Sequence, residues 1–112
     1  MAEIPVYVFT GFLDSGKTKF IQETLEDSRF NAGERTLLLV FEEGEEEYDF
    51  STYPHQNVYL EVLDQQTVTT KQLQSLAKKY KAQRVVAELF KNIKFAAQLR
   101  KIFRKLFGIF GE

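Results

Sequence analysis

Apolar residues occur along this chain in two patterns, as short continuous runs and as stripes at helical spacing. The runs are rich in β-branched and aromatic residues and predict buried strands over residues 4–10, 36–41, 58–63 and 84–89. The stripes, in which apolar positions return every three or four residues, predict helices after Lys17, after Thr69 or Thr70, and over residues 94–110. Strands that alternate with helices predict an α/β fold, a three-layer sandwich around a mainly parallel sheet of about four strands with right-handed crossovers.

The loop between the first strand and the first helix carries the clearest chemical signal in the sequence. Residues 11–18, GFLDSGKT, match the pattern G-x-x-x-x-G-K-[ST], in which backbone N–H groups and the helix N-terminus hold phosphate oxygens. Lys17 is expected to reach the β- and γ-phosphates, and Thr18 offers a hydroxyl to Mg²⁺. The candidate nucleotide-binding residues are therefore Gly11, Asp14, Ser15, Gly16, Lys17 and Thr18. The alternative is a glycine loop that only turns a strand into a helix, which explains the glycines but neither Lys17 nor Thr18.

Acidic residues follow two of the predicted strands, at the edge of the sheet where nucleotide-binding α/β proteins hold their ligands. Glu88 ends the fourth apolar run as a Walker-B-type acid does. Glu42 and Glu43 follow the second run, where residues that contact Mg²⁺ or position water would lie. The candidate metal ligands are Thr18, Glu42 and Glu88. The alternative for such acids is a solvated loop charge, which is the interpretation we adopt for residues 45–47.

Three segments resemble the CobW/HypB/UreG group of P-loop GTPases, which are metallochaperones. The opening IPVYVFTGFLDSGKTKFI is similar to the apolar strand, GFLGAGKTT loop and helix of CobW-type members. Residues 40–49, VFEEGEEEYD, resemble the group's V-N-E-F-G-E-x-x-x-D segment, and RVVAEL resembles the strand that ends in I-E-T-x-G. The resemblance covers about residues 4–89. It implies a P-loop NTPase-like fold, nucleotide binding by residues 11–18, and a metal-linked role for Glu88.

The chain also departs from that group. Asp14 replaces a common glycine and Lys19 a common threonine, and the Cys-x-Cys-Cys metal motif is missing. Leu89-Phe90-Lys91 follows Glu88 where the group has T-x-G, and the chain ends before any N-K-x-D motif that would recognise guanine. We therefore expect the N-terminal half of such a domain, followed by a C-terminal segment that differs from that of the group. Both GTP and ATP remain candidates for the nucleotide.

Composition limits the remaining chemistry. The chain has 112 residues, of which 44% are hydrophobic and 28% charged, as expected of a single globular domain spanning residues 1–112. The chain has no cysteine, which excludes disulfides and thiolate metal sites. It has one histidine, His55, which excludes a cluster of histidines around a metal. No run approaches the ~20 apolar residues needed to cross a bilayer, and the N-terminus lacks the features of a signal peptide. We therefore expect a cytoplasmic protein whose chemistry relies on oxygens, lysine and backbone amides.

The net charge of -1 conceals a strongly basic C-terminus, because residues 91–112 hold six bases and one acid. Apolar residues share one side of the helix predicted there, and bases share the other. We expect this basic amphipathic helix to cover the sheet beside the helix that follows the phosphate loop. The alternatives are an interfacial helix on an anionic membrane and a dimer contact. Nucleic acid is not expected as a partner, because the bases lie on one helix of a slightly acidic chain without a recognised reading motif.

Together these features predict a protein that binds GTP or ATP with Mg²⁺. Hydrolysis requires a positioned water and compensation of charge on the γ-phosphate, and no arginine finger or catalytic glutamine is recognisable in the sequence. Catalytic residues are therefore left unassigned, and we expect slow turnover at most unless a protein partner or a second copy completes the site. The alternative function is a truncated or designed P-loop-fold interaction module without catalytic activity, whose C-terminal helix contacts a partner or a membrane.

Overall fold

A computed structural model describes residues 4–11, 17–27, 29–30, 33–41, 57–90 and 93–107. These residues form four strands and three helices that alternate along the chain. The elements are β1 (Val6–Gly11), α1 (Lys17–Glu26), β2 (Thr36–Val40), β3 (Val58–Val62), α2 (Thr70–Lys79), β4 (Arg84–Phe90) and α3 (Ile93–Phe107). Their limits lie within three residues of the predicted ones, and β2, β3 and β4 begin at the predicted residues. Residues 108–112 lie outside the described residues.

The four strands form one sheet in the order β1-β4-β2-β3, and every pairing is parallel. The predicted α/β class and the parallel sheet of four strands are thus confirmed. β4 is the last strand in the sequence, yet it lies between β1 and β2, and its residue Glu88 is in register with Phe9 on one side and Val40 on the other. This central position of β4 brings residues from the two ends of the sequence together.

Helices cover both faces of the sheet. The connection through α1 runs from β1 across to β2, and the connection through α2 runs back from β3 to β4. Two crossovers of the same hand that run in opposite directions must pass over opposite faces. The two hydrophobic clusters show this arrangement, since Ile21 and Leu25 of α1 pack against Leu38 and Val86, whereas α2 packs against the other face.

The C-terminal helix α3 lies on the same face of the sheet as α2. Its buried residues Phe95, Leu99 and Phe103 belong to the hydrophobic cluster that also contains Leu73 and Ala77 of α2. The expectation that α3 lies beside α1 was therefore wrong. α1 already covers β1, β4 and β2 on its own face, so α3 packs on the uncovered face of the same strands.

Local signals fix the ends of α2. The Thr69 side chain accepts a hydrogen bond from the backbone N–H of Gln72 at 3.1 Å, so Thr69, one of the two predicted candidates, is the N-cap. Lys78 and Lys79 occupy the last turn, where the helix dipole favours cations. Lys81 has φ 50°, in the left-handed region, and turns the chain toward β4.

Candidate nucleotide-binding site

The segment that matches the phosphate-loop motif stands between a strand and a helix, as the motif requires. β1 ends at Gly11, the first residue of the motif, and α1 begins at Lys17, the seventh. Residues 12–16, which include the candidates Asp14, Ser15 and Gly16, lie outside the described residues, and so does the side chain of Lys17. The described part of the motif therefore consists of the strand end, the helix start and the side chain of Thr18.

Thr18 and Glu88 meet although 70 positions separate them in the sequence. The Thr18 hydroxyl donates a hydrogen bond to Oε2 of Glu88, with 2.7 Å between the two oxygens. Because β1 pairs with β4 and Phe9 is in register with Glu88, the first turn of α1 begins beside the carboxyl end of β4. Two of the three candidate metal ligands are thus direct neighbours.

Glu88 faces the side of the sheet that α1 covers. Side chains alternate along a strand, and Val86, two positions earlier on β4, belongs to the cluster around α1, whereas Ala87 and Leu89 belong to the opposite cluster. Glu88 therefore lies between its register partners on the α1 side, Phe9 and Val40, both of which pack in the α1 cluster. The carboxylate occupies a position that would otherwise hold a core residue.

Burial sets Glu88 apart from an ordinary surface acid. The residue is only 2% exposed, so the interpretation as a solvated loop charge does not apply to it. A buried carboxylate is stable only when hydrogen bonds or cations compensate its lost hydration, and the Thr18 hydroxyl supplies one such bond. A buried acid at the ligand-binding edge of a parallel sheet is consistent with a binding role.

The end of β2 lies beside the end of β4, which carries Glu88. The backbone N–H of Phe41 donates to the backbone oxygen of Glu88 at 3.0 Å, so the chain leaves β2 beside the end of β4. Glu42 and Glu43 follow at once, but they and residues 45–47 lie outside the described residues. The role of Glu42 as a metal ligand stays a prediction.

The Thr18 and Glu88 oxygens have the chemistry that Mg²⁺ prefers. Mg²⁺ takes hard oxygen ligands, and in nucleotide sites one or two protein groups hold it together with phosphates and water. Within the described ranges, no three histidine, cysteine, aspartate or glutamate residues come together to form a metal cage. A hydroxyl and a carboxylate in contact supply two oxygens of the kind that this ion takes.

Phe20 lies on the exposed side of α1, although it follows the same three- and four-residue spacing as the buried residues of this helix. Its side chain is 57% exposed, whereas Ile21 and Leu25 on the same helix are buried. The Phe20 ring packs edge to face against the Phe9 ring, with 5.9 Å between the ring centroids. Phe9 lies on β1, an edge strand of the sheet. Since no strand lies beyond β1 among the described residues, one side of Phe20 faces solvent, which the helical spacing alone could not show.

Comparisons with protein-family models, with curated proteins and with solved structures find no match to this chain. No helix in the described residues is both long enough and apolar enough to cross a membrane.

Proposed function

We propose that this protein binds a nucleoside triphosphate together with Mg²⁺ at the carboxyl edge of its parallel sheet. The observation that carries the proposal is the 2.7 Å hydrogen bond between Thr18 and Glu88. Each residue was a candidate for a separate reason, Thr18 as the last position of a phosphate-loop motif and Glu88 as the acid that ends an apolar strand. A motif that arose by chance would not require its threonine to contact a buried acid from a distant strand.

The parts of the proposed site have distinct tasks. Backbone N–H groups of the loop from Gly11 to Gly16, with Asp14 and Ser15 inside it, would surround the phosphates at the N-terminus of α1. Lys17 would contact the β- and γ-phosphates as a point charge. Thr18 and Glu88 would hold Mg²⁺, with Glu42 as the further acidic candidate. When bound, Mg²⁺ would neutralise charge on the β- and γ-phosphate oxygens.

The fold and the resemblance support the same proposal at a coarser level. An all-parallel sheet with helices on both faces, with the loop between β1 and α1, is compatible with a P-loop NTPase-like sandwich. The resemblance to CobW-type GTPases makes GTP one candidate, and ATP stays the other. We propose binding with slow hydrolysis at most. A cytoplasmic location and a partner or second copy that completes the site stay predictions.

Isothermal titration calorimetry with GTP, ATP and GDP, each with and without Mg²⁺, tests the proposal. We expect Mg²⁺-dependent heat with at least one triphosphate. Lys17→Ala should weaken this binding at least tenfold, because it removes a charge that the motif directs at the phosphates. Lys19→Ala is the matched control, since Lys19 is an exposed lysine on the same helix turn and outside the motif.

Two results would contradict the proposal. The first is no heat with any nucleotide, which would favour the alternative of an interaction module that keeps the fold without the ligand. The second is an equal loss of affinity in the Lys17 and Lys19 variants, which would show that the loop lysine has no special role.

A further inference from the structure

The two helices that share one face of the sheet, α2 and α3, carry an extreme charge imbalance. They contain eight of the fifteen lysine and arginine residues of the chain and none of its sixteen acidic residues. α1, on the other face of the sheet, holds two lysines and two glutamates. The fold therefore concentrates positive charge on one side of a protein whose net charge is slightly negative.

The bases of these helices point away from the core. Seven of them are exposed, and we call this set the basic face: Lys71, Lys78, Lys79, Lys94, Lys101, Arg104 and Lys105. Three come from α2 and four from α3, so two helices in one layer form the surface. On the same side of the sheet, β3 contributes Glu61, whose carboxylate accepts a hydrogen bond from the Tyr80 hydroxyl.

The large apolar side chains that the structure describes on both helices are buried or partly buried. Leu73, Phe95, Leu99 and Phe103 are buried against the sheet. The large hydrophobic residues that are exposed within the described ranges are Phe20, Leu60 and Val62, and none of them lies on α2 or α3. A helix that inserts in a lipid interface needs its apolar side free for the membrane. Among the side chains that the structure describes, the basic face therefore offers charge without an exposed large apolar residue to insert.

The uncharged residues of the basic face fit a phosphate-rich partner. Gln72, Ser75 and Gln98 are exposed among the bases, and amide and hydroxyl groups are common donors to phosphate and sugar oxygens in nucleic-acid complexes. Lysine-rich surfaces bind the backbone of nucleic acids through its charge, with release of counterions and without reading sequence. Phosphate contacts of this kind require no hydrophobic insertion.

We propose that the basic face is a docking surface for the phosphate backbone of a nucleic acid, bound without sequence specificity. The expectation against nucleic acid rested on a single basic helix. The structure adds α2 to the same face, which provides three further exposed lysines at positions far from α3 in the sequence. The surface lies on the opposite side of the sheet from Thr18 and Glu88, so its function does not depend on the nucleotide site.

Fluorescence anisotropy with short labelled DNA and RNA of mixed sequence, single- and double-stranded, tests this proposal on the full chain. The variant Lys101→Glu/Arg104→Glu/Lys105→Glu reverses three charges of the basic face. The control Lys19→Glu/Arg29→Glu/Arg35→Glu makes the same change in net charge at exposed bases outside it. Circular dichroism and thermal unfolding establish that both variants are folded.

We expect the wild-type protein to bind at least one of these nucleic acids, with affinity that falls steeply between about 50 and about 200 mM salt. The basic-face variant should bind at least tenfold more weakly, and the slope of log K against log salt should fall by about 2 to 3. The affinity of the control variant for nucleic acid should fall less than about threefold, because its substitutions change the overall electrostatic field without removing contacts to the phosphates.

Three outcomes would overturn the proposal. They are no binding by the wild-type protein at the lowest salt concentration, equal losses in the two variants, and binding to phosphatidylserine vesicles without binding to any nucleic acid. The last outcome would assign the basic face to a lipid surface. The Lys17→Ala variant leaves the basic face intact, so it should bind nucleic acid as the wild-type protein does even if it no longer binds nucleotide. Nucleic-acid binding by this variant therefore distinguishes failure of this proposal from failure of the nucleotide site.

Discussion

The Thr18 hydroxyl and the Glu88 carboxylate are held 2.7 Å apart by the pairing of β1 with β4. The contact joins the first turn of α1 to the carboxyl end of a central strand. Since Glu88 is almost completely buried, the hydroxyl compensates part of its lost hydration. The same two oxygens are the described candidates for Mg²⁺. The pair thus has a structural role without a ligand and a proposed binding role with one, and these roles can be separated by experiment.

Removal of the Thr18 hydroxyl should destabilise the protein in the absence of nucleotide. Thr18→Val keeps the shape of the side chain but leaves the buried Glu88 carboxylate without this donor, which should lower the free energy of unfolding by about 1–3 kcal/mol. Thr18→Ser keeps the hydroxyl and should cost about 1 kcal/mol or less. Urea denaturation of the two variants measures the difference. Equal stabilities would show that the hydrogen bond contributes nothing to the fold.

The charge of Glu88 should matter for the Mg²⁺-dependent part of nucleotide affinity. Glu88→Gln keeps the size of the side chain and removes the negative charge, so we expect the affinity gained on adding Mg²⁺ to fall at least tenfold. Titration of Mg²⁺ at a fixed triphosphate concentration measures this gain. Glu23→Gln is the control, because Glu23 is an exposed acid on α1. A Mg²⁺ response that is unchanged in Glu88→Gln would remove Glu88 from the site.

The elements that depend on local pattern could be predicted from the sequence. Continuous apolar runs identified the strands, and Thr69 marked the start of α2 because its side chain caps the helix. The motif made Thr18 a candidate, and the acid at the end of an apolar run made Glu88 another, before the structure showed that the two are in contact. These features depend on neighbouring residues, which the sequence shows directly.

Features that depend on distant pairing could not be predicted in the same way. The position of β4 between β1 and β2 determines that Thr18 contacts Glu88, and no local signal specifies the order of parallel strands. The same order places α3 beside α2 and leaves Phe20 half exposed at the edge. The basic face also depends on this order, since it combines helices separated by a strand.

Arg84 should be a major contributor to stability at the end of the sheet opposite the candidate site. Its guanidinium is buried and donates to the Thr36 hydroxyl at 2.9 and 3.1 Å and to the Phe30 backbone oxygen at 2.7 Å. The guanidinium also lies 4.1 Å from the centre of the Phe30 ring. Arg84→Met should lower the free energy of unfolding by about 2–4 kcal/mol, because it removes these hydrogen bonds, two of which are buried.

Arg84→Lys separates charge from geometry in this interaction. Lysine keeps the positive charge, but its single ammonium group cannot donate to the Thr36 hydroxyl and the Phe30 backbone oxygen with the geometry of the guanidinium. Most of the destabilisation expected for Arg84→Met should therefore remain in Arg84→Lys. Chemical denaturation of both variants measures the loss in the free energy of unfolding. Arg104→Met is the control, because Arg104 is exposed, and it should change the free energy of unfolding by no more than about 0.5 kcal/mol. If Arg84→Lys were as stable as the wild-type protein, charge alone would account for the contribution.

Asp27 should titrate well below the usual range of an aspartate. Hydrogen bonds from the Arg29 side chain, followed by the one from its backbone N–H, lower the pKa of Asp27 from 3.8 to about 2. Because the folded pKa is lowered, the contribution of this exposed pair to stability is present above about pH 4 and is lost as the pH falls toward 2.

Carbon-detected NMR of the Asp27 carboxyl group measures this titration directly. Arg29→Gln should return the pKa toward 3.8, since the charged donor is the main cause of the shift. Arg35→Gln, at another exposed arginine, should leave the midpoint of Asp27 unchanged. A midpoint near 3.8 in the wild-type protein would show that the pair does not persist in solution.

Substitutions of two phenylalanines test whether α3 packs in the core or presents its apolar side to a membrane or a partner. Phe103 on α3 is fully buried and Phe20 on α1 is 57% exposed. Phe103→Ala should therefore lower the free energy of unfolding by about 3–5 kcal/mol through lost burial and a new cavity, whereas Phe20→Ala should lower it by about 1 kcal/mol or less. Chemical denaturation measures both changes with the same substitution. If Phe103→Ala were no more destabilising than Phe20→Ala, the apolar side of α3 would be available to a membrane or a partner, as the alternative interpretation of the C-terminal helix requires.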